Sequence, residues 1–494
     1  MNSVSIPQSR WTTLGRAILL LGLAIGMIGA LYQFSSARSL WLDEAKLSLN
    51  ILDRSFVELM QPLDREQAAP IGYLWIQKVL ISIFGPSEMS FRLLSLASYF
   101  LSIWLLFTLA KQWFNNRWMH LTSAMAFAGI YAMVYHGSEA KQYAFDVLVV
   151  LLLVKYLLKE RVYEARQLMF TALVGVLGVF CSHISALILP LIAMALIYKY
   201  GIKKREWTIL LPIMAWAGAF GLFYTFFVKD HPTQNVLSNY WAAYFMPVNF
   251  LGSEPYEFVF RIFWREIVAF QTGFGRTAYA LLPLIGWGII TSLKSRKLLP
   301  VFLFLGLIVG HLVLSAMGMY PFAGRLALYL SPWTILFLSL GISSVVQLVF
   351  RDRSWGYTLQ AIGMLLFLYP MLSRLPMERE ELKSALAILQ EKQIPGRAVI
   401  AYPYSKPALE FYEKTQYSGL FENVNYLDRR ESFSSQIASL RGEDLWFLGS
   451  HFQLNSYGVS HELEITRAFQ KEGFERVDQW SFQGAVLYHL RRVE

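Results

Sequence analysis

Leu298–Gly324, LLPVFLFLGLIVGHLVLSAMGMYPFAG, contains no Asp, Glu, Lys or Arg. At 1.5 Å rise per residue, a helix of that length is longer than the roughly 30 Å of hydrocarbon in a bilayer. Working outward in both directions, the same pattern recurs. Ala17–Phe34, Leu93–Ala110, Trp118–Ser138, Gln167–Tyr198, Trp207–Val228, Thr277–Leu293, Leu326–Phe350 and Ser354–Ser373 are equally free of those four residue types, and Gln142–Val154 is interrupted only by Asp146. Charged residues make up 16% of the chain and hydrophobic ones 55%, with a mean hydropathy of +0.40. A soluble domain carries about 25% charged residues, so the pattern excludes a large soluble helical protein and points to a polytopic all-α membrane protein.

The formal charge of +10 does not indicate nucleic acid, because the basic residues fall in short connections between apolar runs. Clusters stand at Lys111/Arg117, Lys159–Arg166, Lys199–Arg205, Lys294–Lys297 and Arg351/Arg353. Placed together on the cytoplasmic side, they require Gln167–Tyr198 to cross twice, turning near Cys181, Ser182 and His183. The expectation is about eleven spans in the plasma (inner) membrane, with the N-terminus cytoplasmic and the C-terminus outside. Ala17–Phe34 is longer than a signal-peptide core and reads as a retained first helix. The single cysteine, Cys181, excludes an intrachain disulfide and a cysteine-rich metal site.

Three parts depart from this background. Residues 35–90 form an external loop in which Leu40, Leu47, Ile51, Leu52, Phe56 and Leu59 recur at helical spacing, predicting a helix on the membrane surface. Ile71–Phe84 is apolar but short and contains Lys78, which suits an interfacial or re-entrant helix. Residues 229–276 form a second external loop, rich in Tyr, Trp and Phe, that suits either the headgroup region or stacking on sugar rings, Trp241 included. Residues 1–373 thus read as one transmembrane domain. From about Arg374 to Glu494 the charge returns to ordinary levels. Strand candidates Ala398–Tyr402, Leu445–Leu448 and Ala485–Leu490 alternate there with helical stretches Glu380–Gln390, Ala408–Lys414 and Glu462–Lys471. This predicts a small extracytoplasmic α/β domain. It has no nucleotide or phosphate-loop motif, and no chemistry is assigned to it.

Candidate chemistry gathers at the external boundary. Asp43 and Glu44 follow the first span; a partly desolvated carboxylate there suits general-base work, while solvated acids in a helix's first turn suit its dipole. Glu139, Lys141 and Asp146 open one span, and on a helix Glu139, Tyr143 and Asp146 share a face. Ionisable groups at that depth have a partner or a task. Arg325 begins a late span, where a guanidinium can hold a phosphate bidentately or snorkel to headgroups. Arg92 and Arg276 lie at outer boundaries as well. His183 sits at the hairpin turn, within reach of a phosphate or in a structural hydrogen bond. No spacing of ligands supports a divalent metal.

Taken together, Leu40–Glu44 (LWLDE), Ala69–Trp75 (APIGYLW), Phe84–Ser95 (FGPSEMSFRLLS), Ser138–Tyr143 (SEAKQY), Ser182-His183 and Gly324–Leu326 (GRL) resemble, in order, the GT-C glycosyltransferases. The likeness is in particular to family 39 relatives of the protein mannosyltransferases and of the enzymes that add aminoarabinose to lipid A. The resemblance covers roughly the first 330 residues, and Lys141 stands where the family more often has Arg. It implies an external site fed by a polyprenyl-phosphate sugar, with a lipid, glycan or protein acceptor. Asp43 would be the general base, and Glu44 would orient it or bind acceptor. Lys141, Arg325, His183 and Arg92 would hold the donor phosphate, and Glu139, Tyr143 and Trp241 would contact substrate. A multi-span transporter or lipid flippase is the competing reading, against which stand the missing internal repeat and the one-sided distribution of charge.

Overall fold

The computed structural model describes residues 10–159, 164–229, 234–350, 352–392, 397–421, 424–440, 442–455 and 458–493. Of the basic clusters, Arg161 and Arg351 lie outside them. Each predicted apolar run forms one or more helices. Among the described residues, eight helices have the length and hydropathy to cross a membrane: Arg10–Ser35, Glu88–Trp113, Ser185–Ile202, Trp207–Val228, Gly275–Lys294, Leu298–Ala316, Gly324–Val349 and Arg353–Leu372. The other three runs of the expected eleven are shorter. Trp118–Ser138 is interrupted at Ile130, whose extended backbone separates helices Arg117–Gly129 and Tyr131–His136. The remaining two form helices Tyr143–Leu157 and Ala165–Cys181. The break between Cys181 and Ser185 falls where the hairpin turn was expected.

Packing between spans relies on small residues. A Cβ added to Gly288 would lie 1.9 Å from Phe337 O, and one on Gly341 would lie 1.9 Å from Leu284 O. Helices Leu282–Lys294 and Ser331–Val349 therefore touch backbone to backbone. In a lipid solvent, where apolar contact alone brings no net gain, such close approach supplies the dispersion energy of association.

Helix Leu42–Asp53 is not the surface helix its apolar spacing predicted. Leu47 and Ile51 are fully enclosed, because the helix packs against Lys406–Thr415 of the C-terminal domain and against Ile71–Phe84. The stripe is covered by protein rather than lipid. Further ties join the two parts: Lys383 Nζ to Glu88 Oε1 at 2.8 Å, Arg65 Nη2 to Glu410 Oε2 at 3.0 Å, and the Leu40 N–H donating to Tyr412 Oη at 2.8 Å.

The C-terminal sheet has strands β1 (Ala398–Ala401), β2 (Val424–Tyr426), β3 (Asp444–Ser450), β4 (Phe474–Phe482) and β5 (Ala485–Arg492), in the order β2-β1-β3-β5-β4. The β1 strand runs parallel to both its neighbours, and β5 is antiparallel to β3 and β4. The three predicted strands are the inner ones. Both unpredicted strands are edges: β2 is three residues long, and β4 is largely exposed and charged.

Candidate active site

Helix Leu42–Asp53 begins directly after Trp41 and presents its first two acids in opposite directions. The Glu44 carboxylate is fully buried. It accepts from Arg92 through both oxygens (Nε to Oε1 3.0 Å, Nη2 to Oε2 2.9 Å), from the Ala140 N–H at 2.7 Å, and lies 3.4 Å from Arg38 Nη1. Arg38 in turn donates to Ser138 O at 3.2 Å, and Arg92 to Arg38 O at 2.7 Å. Three segments remote in sequence, 38–44, Glu88–Trp113 and 138–141, are fastened by this triad. Arg92, expected at the donor phosphate, is instead committed to Glu44 and does not line the cavity described below; neither does Glu44. An unpaired guanidinium or carboxylate so far from water would be costly, and each satisfies the other.

Asp43 faces the other way, into a cavity of about 1640 Å³. Its Oδ2 lies 3.1 Å from Arg325 Nη2. Burial works to raise the Asp43 carboxyl, but Lys141 and Arg325 outweigh it and hold the group below the ordinary carboxylate range. Lys141 lines the same cavity and donates to Gln67 Oε1 at 2.5 Å. Burial pulls its ammonium down to about 8 against the opposing pull of Asp43.

Residues 137–142 form a turn, and helix begins only at Tyr143, so Glu139 does not share a helical face with Tyr143 and Asp146. Glu139 is enclosed behind the cavity wall. It accepts from Trp41 Nε1 at 3.0 Å and pairs with His136 Nδ1, and so fixes the indole. Burial opposes its charge, but His136 and Arg38 hold the carboxyl well below its usual range. Asp146 accepts from Ser182 Oγ at 2.5 Å, which ties the hairpin break to helix Tyr143–Leu157.

Arg325 is aimed by its surroundings. The preceding Gly324 N–H donates to Glu266 Oε2 at 2.9 Å, and Phe270 lies where a Gly324 side chain would begin. The guanidinium then sits among the rings of Trp41, Tyr143 and Trp241, at 5.4, 5.8 and 5.2 Å from their centroids. Trp241 arrives because its loop docks on the residues before Arg325, with Phe322 N donating to Tyr244 O at 2.8 Å. His183 also lines the cavity, against Phe223 at 5.7 Å between ring centroids. Arg276 is exposed and does not line it.

The polar end thus contains Asp43, Lys141, Tyr143, Arg325 and Trp241. Away from it the wall turns apolar, with Leu187, Leu191, Phe227, Leu305, Val309 and Val313 among its members. The C-terminal domain adds Tyr404, Arg429, His451 and Gln453, and the segment leading into it adds Arg379. These residues carried no motif and were missed in the sequence. Among the described residues, no group of three or more His, Cys, Asp or Glu is placed to hold a metal.

Residues 68–228 match the family model described as dolichyl-phosphate-mannose-protein mannosyltransferase. The crystal structure of ArnT from Cupriavidus metallidurans bound to undecaprenyl phosphate superposes with a TM-score of 0.55 at 12% identity, covering 96% of this chain and 97% of that one. The fold is GT-C. ArnT in the apo state gives 0.52 at the same identity, over 95% of this chain and 97% of the other. No curated protein matches the sequence. The GT-C likeness read from the ordered motifs is borne out. The family match spans Ala69–Trp75, Phe84–Ser95, Ser138–Tyr143 and Ser182-His183 but stops short of Arg325 and begins after Asp43, the two residues the fold then brings together.

Proposed function

We propose that this GT-C protein is a membrane glycosyltransferase that moves a sugar from a polyprenyl-phosphate donor to an acceptor hydroxyl on the outer face of the membrane, inverting the anomeric centre. The observation that carries the reading is the continuity of one cavity. A carboxylate flanked by two cations stands at one end, and an apolar slot suited to an isoprenoid chain leads away from it. The structure bound to undecaprenyl phosphate shares this fold. Arg325 Nε is buried with no hydrogen-bond partner among the described residues, a donor left over for a phosphate oxygen.

In this reading Lys141 and Arg325 hold the donor phosphate at the polar end, His183 lines the route behind it, and Tyr143 and Trp241 flank the sugar. Asp43 takes the proton of the acceptor hydroxyl while that oxygen attacks the anomeric carbon. The bond from that carbon to the phosphate oxygen breaks, and its electron pair stays on the lipid phosphate, whose charge meets cations already in place. Glu139 acts indirectly, by fixing Trp41, and Glu44 and Arg92 hold the loop that carries Asp43. Sugar and acceptor are to be read from products: mass spectrometry of glycolipids and glycoproteins, comparing cells with and without the protein, should reveal one modification lost. With the protein expressed normally, Asp43→Asn should lose the same modification; its full retention would remove Asp43 from the role of base. Purified protein given a lipid-linked sugar and an acceptor separates the alternative: a transporter or flippase would form no new glycosidic bond and release no polyprenyl phosphate.

A further inference from the structure

Trp41 is contacted by a second guanidinium, from the far end of the chain. Arg379 Cζ lies 3.4 Å from the centroid of the indole, whose ring also receives Arg325. Two cations separated by more than fifty residues thus meet on one ring, two positions before Asp43. Arg379 lines the cavity and is exposed to it.

Its neighbours explain why it points there. The backbone of 378–381 is held against the β4–β5 turn: Glu381 N donates to Gln483 O at 2.8 Å, and Gln483 Nε2 donates to Glu378 O at 3.0 Å. Gly484, at φ +67, admits this contact, since a Cβ there would lie 2.6 Å from Arg379 O. The flanking acids point elsewhere. Glu380 is buried against His451 Nδ1 at 2.5 Å, and Glu381 accepts from Ser384 Oγ at 2.7 Å. Among the described residues no carboxylate pairs with Arg379. The contrast with Arg325 matters, because one arm of Arg325 is already taken by Asp43. Arg379 keeps its whole fork of donors, on a preset backbone, at the same end of the cavity.

We infer that Arg379 binds the phosphate of the lipid-linked donor beside Arg325, which makes the segment leading into the C-terminal domain part of the donor site. The inference rests on the polyprenyl-phosphate reading above and adds a residue to it. A guanidinium with free donors, stacked on a ring, suits bidentate contact with a phosphate, and it can follow the leaving oxygen as charge builds on it.

The test is binding of undecaprenyl phosphate to the full-length protein in detergent. Arg379→Met keeps the length and apolar stem that covers Trp41 but removes charge and donors. It should raise Kd about tenfold, the loss of roughly one charge-assisted contact, with the thermal midpoint unchanged, and Arg379→Lys should restore part of the affinity. Arg379→Met binding as tightly as wild type overturns the inference while leaving the donor reading intact. Wild-type protein that fails to bind undecaprenyl phosphate at all overturns the donor reading, and the inference with it.

Discussion

Asp43 is held as a carboxylate by two cations, and one of them is itself close to losing its charge. Lys141, pulled to about 8 by burial, is charged below that pH and neutral above it. A neutral amine cannot hold a phosphate anion, so kcat/KM for the donor should fall as pH rises through about 8. That parameter reports groups in the free enzyme. In kcat the same limb should move to higher pH, because bound phosphate favours the ammonium. Arg stays charged throughout, so Lys141→Arg should abolish the alkaline limb; a limb that persists in that variant assigns it to another group. Asp43→Asn should lower kcat by about 10²–10⁴-fold, the usual worth of a positioned base, with donor KM little changed. The acids and cations of this centre were legible in the sequence because ionisable groups at a membrane boundary are few. What was not legible is how adjacent acids divide their work. Asp43 and Glu44 look alike in a row of letters, and only the positions of Arg92 and the Ala140 N–H decide that one faces the cavity and the other is sealed.

The elements that hold this centre are joined by the Arg38–Glu44–Arg92 triad, and its energetics differ from those of the site it supports. Removing Glu44 leaves two guanidinium groups buried without their carboxylate, which costs about 3–5 kcal/mol. Removing Arg92 leaves Glu44 paired with Arg38 alone and loses two charge-assisted hydrogen bonds, each worth about 1.5–3 kcal/mol. Glu44→Gln and Arg92→Met should therefore each lower the thermal midpoint in detergent, and the protein that remains folded should bind undecaprenyl phosphate as wild type does. Arg92→Met that keeps its stability but loses donor affinity would instead return Arg92 to the phosphate. Element by element, the apolar runs were readable from length and charge alone. One of them, Trp118–Ser138, proved shorter than a full crossing because the extended backbone of Ile130 ends a helix without any polar residue announcing it. Helix Leu42–Asp53 shows the opposite limit. Its apolar stripe was correctly periodic, but periodicity does not say whether lipid or protein covers it, and the cover comes from Lys406–Thr415, more than 350 positions away. The edge strands β2 and β4 escaped notice because an edge needs little apolar alternation.

Across the whole molecule, the cavity is assembled from every region at once: the first loop, the 137–142 turn, the late span of Arg325, the aromatic loop, and the C-terminal domain. Such a site carries no local signature, which is why Arg379, Tyr404 and Arg429 were invisible in the sequence while Asp43 and Lys141 were not. Its apolar arm invites a test that the polar end cannot provide. Gly310 lies on the wall of that arm, and a Cβ built there meets only Leu187, at 3.2 Å. The remaining space is open to the slot. Gly310→Phe places an aromatic ring in the path of an isoprenoid chain without touching Asp43, Lys141 or Arg325. Forcing a ring into a filled apolar slot costs about 1–3 kcal/mol by overpacking, so undecaprenyl phosphate should bind about tenfold or more weakly. A donor analogue whose prenyl chain is too short to reach the ring should bind Gly310→Phe and wild type alike. The comparison of the two chain lengths in one variant separates a blocked slot from a damaged polar end, because damage there weakens both ligands together. Equal affinity of Gly310→Phe and wild type for the long chain would place the isoprenoid outside this arm.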